Sequence, residues 1–404
     1  MEFQDNVQRR SKLREGFSPG VPVDKYELFA GRAEQVRDVY DAVVTDGRHV
    51  ILYGERGVGK TSMAKVLHEF LEGVGIRGLA VRTINCDRTD DFTTLWQKSF
   101  REMVSDGQEK DGLLEAVLGK EYIAPDDIRF VLSRLEGSRI VIFDEFDKLK
   151  VDEARILFAD TIKNLADHAV PSTLLLVGVA DTVDELIAEH RSIERSLVQV
   201  RMPRMDREEL GEIVNRGIKK ADMVIEDAAR ELIVLLSHGL PFYTHYLGLY
   251  SGFRALDRNK TTITPVDVAD STVGIISKAH HVRSAHLTAV SSAQKNIYPQ
   301  VLLACALAER DELGFFNASD ISRPLSEITG KRYGVEYYTR HLKAFCEDGR
   351  GKILVRVGPA FRVRYRFADA LMQPFVILDG MAKGIVSLET ILNLTKKPKA
   401  VAAS

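Results

Sequence analysis

From His49 onward the chain alternates short β-branched apolar runs with longer stretches whose apolar residues recur at spacings of three and four. The first kind reads as strand and the second as amphipathic helix, so their alternation predicts a parallel sheet with crossover helices. The expected strands are Val50–Tyr53, Leu79–Asn85, Arg139–Phe143, Thr173–Val179 and Leu197–Arg201, with helices that include Lys60–Gly73, Phe92–Ser105 and Asp152–Asp167. Beyond Pro203 the strand signal fades, and residues 206 to 280 read as several helices starting near Asp206 and Glu226-Asp227. Three more helical patterns, Ile297–Ala308, Ala318–Ile328 and Val335–Cys346, precede two strand-like runs, Lys352–Val357 and Arg362–Phe367. Three helices and a hairpin in that order predict a winged helix.

The ends of the chain follow neither pattern. Residues 1–24 are polar, carry Pro19-Gly20 and Pro22, and read as a leader that drapes over the first domain without joining its core. The Lys396-Lys397-Pro398-Lys399 stretch is too short and polar to pack. The expected division is a leader at 1–24, an α/β core at 25–204, a helical lid at 205–284, a winged helix at 285–382 and a tail at 383–404. A chain of 404 residues, 45% hydrophobic, is long enough for several such cores.

Charge and cysteine usage narrow the setting. A formal net charge of −2 gives no global field, so any nucleic-acid-binding surface has to be local. Cys86, Cys305 and Cys346 show neither metal spacing nor disulfide pairing, which fits a reducing compartment. The mixed-charge N-terminus is no signal peptide and no apolar run is long enough to span a membrane. A cytoplasmic protein without membrane partners is expected.

The chemistry concentrates in one loop. Gly54-Glu55-Arg56-Gly57-Val58-Gly59-Lys60-Thr61 follows the apolar strand and leads into a helix at Ser62, the context that the pattern G-x-x-x-x-G-K-[ST] requires. Its glycines let successive N–H groups and the helix N-terminus face phosphate oxygens. Residues 54 to 62, Ser62 included, are therefore the expected phosphate contacts for ATP or ADP. Lys60 adds a mobile point charge, and the Thr61 hydroxyl can ligate Mg²⁺. About ninety residues on, the apolar strand Ile140–Phe143 ends in Asp144-Glu145. That would set Asp144 in the Mg²⁺ shell and let Glu145 polarise an attacking water.

These features resemble the AAA+ ATPases that include origin-recognition initiators, and their relatives the STAND signalling ATPases. Phe29-Ala30-Gly31-Arg32 is similar to the F-x-G-R stretch that packs near the adenine in that group, which implies nucleotide contacts for Gly31 and Arg32. Gly54–Thr61 and Asp144-Glu145-Phe146-Asp147 correspond to the Walker A and Walker B motifs. Val177-Gly178-Val179-Ala180-Asp181 resembles the strand that delivers the sensor-one residue, here Asp181. Arg195 stands where such proteins keep an arginine finger for a neighbouring subunit, although a solvated arginine is the plainer reading. The resemblance implies an ATP hydrolase, with Lys60, Glu145, Asp181 and Arg195 as its catalytic set and a self-oligomer formed on ATP binding.

Two departures shape the expected activity. A carboxylate at Asp181, where a neutral polar residue is usual, should repel a γ-phosphate and slow turnover. In place of a sensor-two arginine after a glycine, the chain reads Gly239-Leu240-Pro241, similar to the lid motif of STAND switches whose proline touches the base or the phosphates. Pro241 equally suits a plain helix start.

The C-terminal unit carries a local charge of +6 between Lys331 and Ala370. Arg362, Arg364 and Arg366 alternate with Val363 and Tyr365, so the arginines share one strand face. With Arg340 and Lys343 on the preceding helix they form a candidate surface for duplex DNA, as in an initiator. The other reading is a STAND-like module whose winged helix contacts protein. His168, His190, His238 and His245 have neither triad nor metal spacing, and Trp96 reads as a packing anchor.

Overall fold

The computed structural model describes residues 3–76, 78–105, 112–149, 152–187, 193–292, 296–311, 313–359 and 362–395. The chain divides into two compact units, Gly20–Ile213 and residues 1–19 together with Val214–Ser404. Helix α1 (Phe3–Gly16) opens the chain in the second of these.

The Gly20–Ile213 unit is an α/β layer structure. After α2 (Ala33–Val43) come β1 (His49–Gly54), α3 (Lys60–Gly73), β2 (Ala80–Asn85), α4 (Phe92–Ser105), α5 (Leu113–Leu118), α6 (Pro125–Leu132), β3 (Arg139–Asp144), α7 (Asp152–Asp167), β4 (Ser172–Val179) and β5 (Leu197–Arg201). The strands form one parallel sheet in the order β2-β3-β4-β1-β5. Every expected strand and the three named helices lie within a residue or two of these bounds. Val50, Ile51, Leu52 and Ile140–Phe143 are fully buried, as strands covered on both faces must be, so they read as unbroken apolar runs. Trp96 is buried among Phe92, Phe100, Phe143 and Phe158, with ring centroids 5.3–6.4 Å away, and acts as the packing anchor expected of it.

This strand order decides where a site can form. The chain leaves β1, passes to the far edge at β2, returns through β3 and β4, and then crosses to the other side of β1 for β5. Ligands of open α/β sheets bind outside the carboxyl ends of the strands where the order reverses. Here that point is the carboxyl end of β1, with the ends of β4 and β3 beside it.

Helix α8 (Arg207–Lys220) runs from the first unit into the second without a break. The second unit continues with the short parallel pair β6 (Val224–Ile225) and β7 (Thr262–Ile263), α9 (Asp227–Ser237), α10 (Pro241–Asp257), α11 (Pro265–Lys278) and α12 (His280–Val290). The sequence pattern gave no sign of the β6–β7 ladder. Next come α13 (Tyr298–Leu307), β8 (Phe316–Asn317), α14 (Ser322–Thr329), α15 (Val335–Phe345), β9 (Leu354–Val357), β10 (Arg364–Phe367), α16 (Met372–Ala382) and α17 (Leu388–Thr395). β8, β10 and β9 form an antiparallel sheet in that order.

Two expectations about the ends change. The leader does join a core: α1 buries Leu13, and Phe17 just after it, against Gly217 of α8 and Gly248 and Gly252 of α10. A Cβ on Gly217 or Gly248 would stand 2.3 or 2.4 Å from the Phe17 ring, so only glycine admits this approach. The expected tail is helical as far as Thr395, with Ile391 fully buried, while the Lys396–Lys399 stretch lies outside the described residues. Helix α16 is buried along nearly its whole length and packs on α9 and α11 as well as on α12 and α13, so one core runs across the expected boundary at residue 284. Among the described residues no helix is long and apolar enough to cross a membrane.

Candidate nucleotide site

β1 ends at Gly54 and the loop to α3 turns through Gly57 and Gly59, whose φ values of +86° and +100° are those that favour glycine. This curl wraps round the Lys60 side chain, which differs from the mobile charge expected. The Lys60 ammonium donates to the Gly54 and Glu55 carbonyls, at 2.8 Å each, and the residue is 8% exposed. Burial pushes its pKa down to about 8, against the pull of Asp147, Asp144 and Glu55. The loop is braced from outside as well, since the Glu55 carboxylate accepts a 2.6 Å hydrogen bond from Arg204 Nε. Arg56 is exposed.

The two expected metal ligands meet. Asp144, 3% exposed at the end of β3, accepts the Glu145 N–H at 2.8 Å, and Thr61 lines a cavity with it. Desolvation raises the Asp144 pKa, opposed by the Glu145 N–H and by Thr61. Glu145 is in the left-handed region, φ +58°, and its exposed carboxylate is ion-paired with Lys148. Thr61, Asp144 and Glu145 line this cavity of about 780 Å³ together with Lys65, His68 and Thr83.

The remaining candidates separate into groups. Ser62 Oγ accepts the Val23 N–H at 3.1 Å. Arg32 is 2% exposed, and its Nη2 donates to the Val58 carbonyl at 3.0 Å; the Arg32 N–H reaches Glu209 Oε1 at 2.8 Å and the Gly31 N–H reaches Glu212 Oε2 at 3.1 Å. Asp181 follows β4, the strand between β1 and β3, and so shares the sheet edge of the loop and Asp144; its N–H donates to Glu185 Oε2 at 3.1 Å. Arg195 precedes β5 at the opposite edge, where its exposed side chain is ion-paired with Asp167. Pro241 belongs to the other unit and is the first residue of α10. His190 lies outside the described residues.

In the C-terminal unit the strand alternation holds: Tyr365 and Phe367 are buried and Arg364 and Arg366 half-buried on the other face. Yet Arg364 is bound to Asp311 at 2.8 Å, and both guanidiniums lie over Phe315, 4.9 and 4.8 Å from the ring centre. Arg362, Arg340 and Lys343 are exposed, with Arg340 5.2 Å over Tyr337. Sequence reasoning overlooked Arg204, Lys148, Glu209 and Glu212. Only Asp206-x-x-Glu209, the pattern of a helix start, could have singled out Glu209.

A glycine loop wrapped on its lysine at the end of β1, with the buried Asp144 at the carboxyl end of β3 in the same β2-β3-β4-β1-β5 sheet, defines a P-loop NTPase core of the AAA+ type. The model of the family described as novel STAND NTPase 1 matches residues 22–305, and the chain belongs to that family. Among solved structures it is similar to the ORC2 protein of Aeropyrum pernix, an ADPNP–ADP complex. The TM-score is 0.50 at 16% identity, over 92% of this chain and 98% of that one, a likeness of fold. The Aeropyrum pernix ORC1 protein in complex with DNA matches at TM-score 0.49 and 16% identity, over 93% of this chain and 98% of that one. The RuvB Holliday junction branch migration motor of Thermotoga maritima matches at 0.44 and 16%, over 85% and 95%. No curated protein matches the chain.

Proposed function

We propose that the protein is a cytoplasmic nucleotide switch that binds ATP or ADP, hydrolyses ATP slowly and changes its assembly with the nucleotide it holds. The observation that carries this reading is the meeting of the two Walker motifs, Thr61 and the buried Asp144 lining one cavity beside a loop that already encloses Lys60. The donor set fits Mg²⁺: a hydroxyl and one carboxylate leave the remaining positions for phosphate oxygens and water, as that ion prefers. Thr61 and Asp144 would hold the ion, which when bound would offset the charge of the nucleotide's phosphates.

This chain's own residues supply the rest. Loop N–H groups and Lys60 hold the phosphates, and Glu145 orients and polarises the attacking water. Slow turnover follows from two features of the same sheet edge, the Glu145 carboxylate engaged by Lys148 and the negative charge of Asp181. Arg195 is assigned to the site of a second copy, its own Asp167 pair being exposed and cheap to break. The basic C-terminal unit, read as a winged helix, acts within the protein, because Arg364 already has an internal carboxylate partner.

A second reading, contact with duplex DNA, rests on the exposed Arg340, Lys343 and Arg362. Binding that weakens steeply with salt would favour it, since phosphate contacts release counterions. The primary reading is tested by calorimetry with ATP on the parent and Lys60→Ala. Affinity should fall roughly 30-fold or more, as when one partner of a buried charge pair is lost. Equal affinity would overturn the assignment.

A further inference from the structure

The contacts of Arg32 differ from those of a residue that reads the nucleotide. Its guanidinium is buried, grips the Val58 carbonyl inside the P-loop, and has an Nε with no hydrogen-bond partner among the described residues. Burial lowers its pKa, with Glu209 of α8 and Asp206 just before it pulling the other way. In a trans peptide the C=O and the following N–H point in opposite directions. Holding the Val58 carbonyl therefore aims the Gly59 N–H away from Arg32, and Gly59 is the residue that immediately precedes Lys60 in the phosphate loop.

The backbone of the same residue is tied elsewhere. Gly31 and Arg32 both have positive φ, +67° and +64°, a costly conformation for a non-glycine residue. What holds them there is the start of α8, with Glu209 of its first turn on the Arg32 N–H and Glu212 of its second on the Gly31 N–H. Glu209 also closes the helix start, accepting the Asp206 N–H at 3.0 Å while Asp206 accepts the Glu209 N–H at 2.9 Å. The fit is close, because a Cβ on Gly31 would stand 2.6 Å from Glu209 Oε1. Helix α8 then continues past Ile213 into the second unit.

We infer that Arg32 is a positioning residue that couples the P-loop to α8, so that a change in the loop on nucleotide binding reaches the second unit along this helix. The inference rests on the nucleotide-binding reading above and adds a route by which the bound state is reported. Its parts are a loop carbonyl, one buried cation, two carboxylates three residues apart on one helix, and the continuation of that helix. A hydrogen-bonded chain of this kind transmits only if both ends have two arrangements, which is what the experiment has to detect.

Hydrogen exchange of residues 214–220 in the full chain, with and without saturating ADP, tests it on the parent, Arg32→Met and Glu209→Ala. In the parent, ADP should slow exchange in this segment. Arg32→Met should weaken ADP binding roughly 10- to 100-fold, as for loss of a hydrogen bond to a charged group, and erase the ADP-dependent slowing even at saturation. Glu209→Ala, compared at an ADP concentration that saturates it, should lose the slowing while Arg32 keeps its bond to Val58. That variant keeps the test alive if Arg32→Met does not fold. Slowing that persists in the variants, or is absent in a parent that binds ADP, overturns the coupling and leaves nucleotide binding intact. A parent that binds no ADP overturns both.

Discussion

The buried P-loop lysine predicts a pH dependence of nucleotide affinity whose size follows from the structure. With its pKa lowered from 10.5 to about 8 by burial, Lys60 loses its proton in the free protein as pH rises through about 8. Phosphate oxygens favour the charged ammonium, so a nucleotide bound at high pH has to take up a proton with it. At pH 9 only about one free molecule in eleven carries the charge, so affinity should fall about tenfold, or about 1.4 kcal/mol, between pH 7 and pH 9. Titration calorimetry with ADP in buffers of different ionisation enthalpy reads both parts, the weakening and an uptake of about 0.9 proton at pH 9. The nucleotide's terminal phosphate titrates near pH 6 and stays out of this window. Lys60→Arg, charged throughout, should bind with a flat profile whatever its absolute affinity. The sign is opposite for the free protein: a folded-state pKa below the unfolded one means that stability without nucleotide rises between about pH 8 and 10.5. An affinity constant to within twofold from pH 7 to 9, with no buffer-dependent heat, would refute the reasoning.

Other variants probe separate parts of the account. Glu145→Gln should keep ATP bound while phosphate release in a single-turnover assay drops by two to four orders of magnitude, roughly the worth of a general base; release at the parent rate would remove Glu145 from that role. Asp181→Asn should speed hydrolysis by taking a negative charge from the sheet edge that faces the γ-phosphate, and a slower Asn variant would mean that Asp181 helps to position the water. Phe17→Ala should cost about 3–5 kcal/mol of stability in denaturant unfolding, the range for deleting a fully buried aromatic; a loss under 1 kcal/mol would show that α1 is dispensable to its core.

The sheet was legible because its strands are covered on both faces: Val50–Leu52 and Ile140–Phe143 have no polar alternation to obscure them. The P-loop and Asp144-Glu145 were legible because their spacing is local and each follows such a strand. What escaped was set by residues far apart in sequence. Helix α1 has few apolar positions, and its docking depends on Gly217, Gly248 and Gly252, whose meaning exists only once α8 and α10 are side by side. The enclosure of Lys60 comes from backbone carbonyls, which leave no mark in a side-chain pattern. The alternating arginines of β10 were read correctly as one face, but Asp311 and Phe315, which occupy that face, lie some fifty residues earlier. Helix α16, buried on nearly every side, carries no amphipathic period to announce it.

The central claim is that the bound nucleotide sets the state of the protein, and light scattering coupled to size-exclusion chromatography tests it most directly. The full chain would be run with Mg²⁺ and either ADP or a non-hydrolysable ATP analogue, each at a concentration that calorimetry shows to be saturating. A nucleotide switch with a trans-acting Arg195 predicts a monomeric mass with ADP and a larger assembly with the analogue, lost again in Arg195→Ala. The same mass with both nucleotides, at equal occupancy, would contradict it.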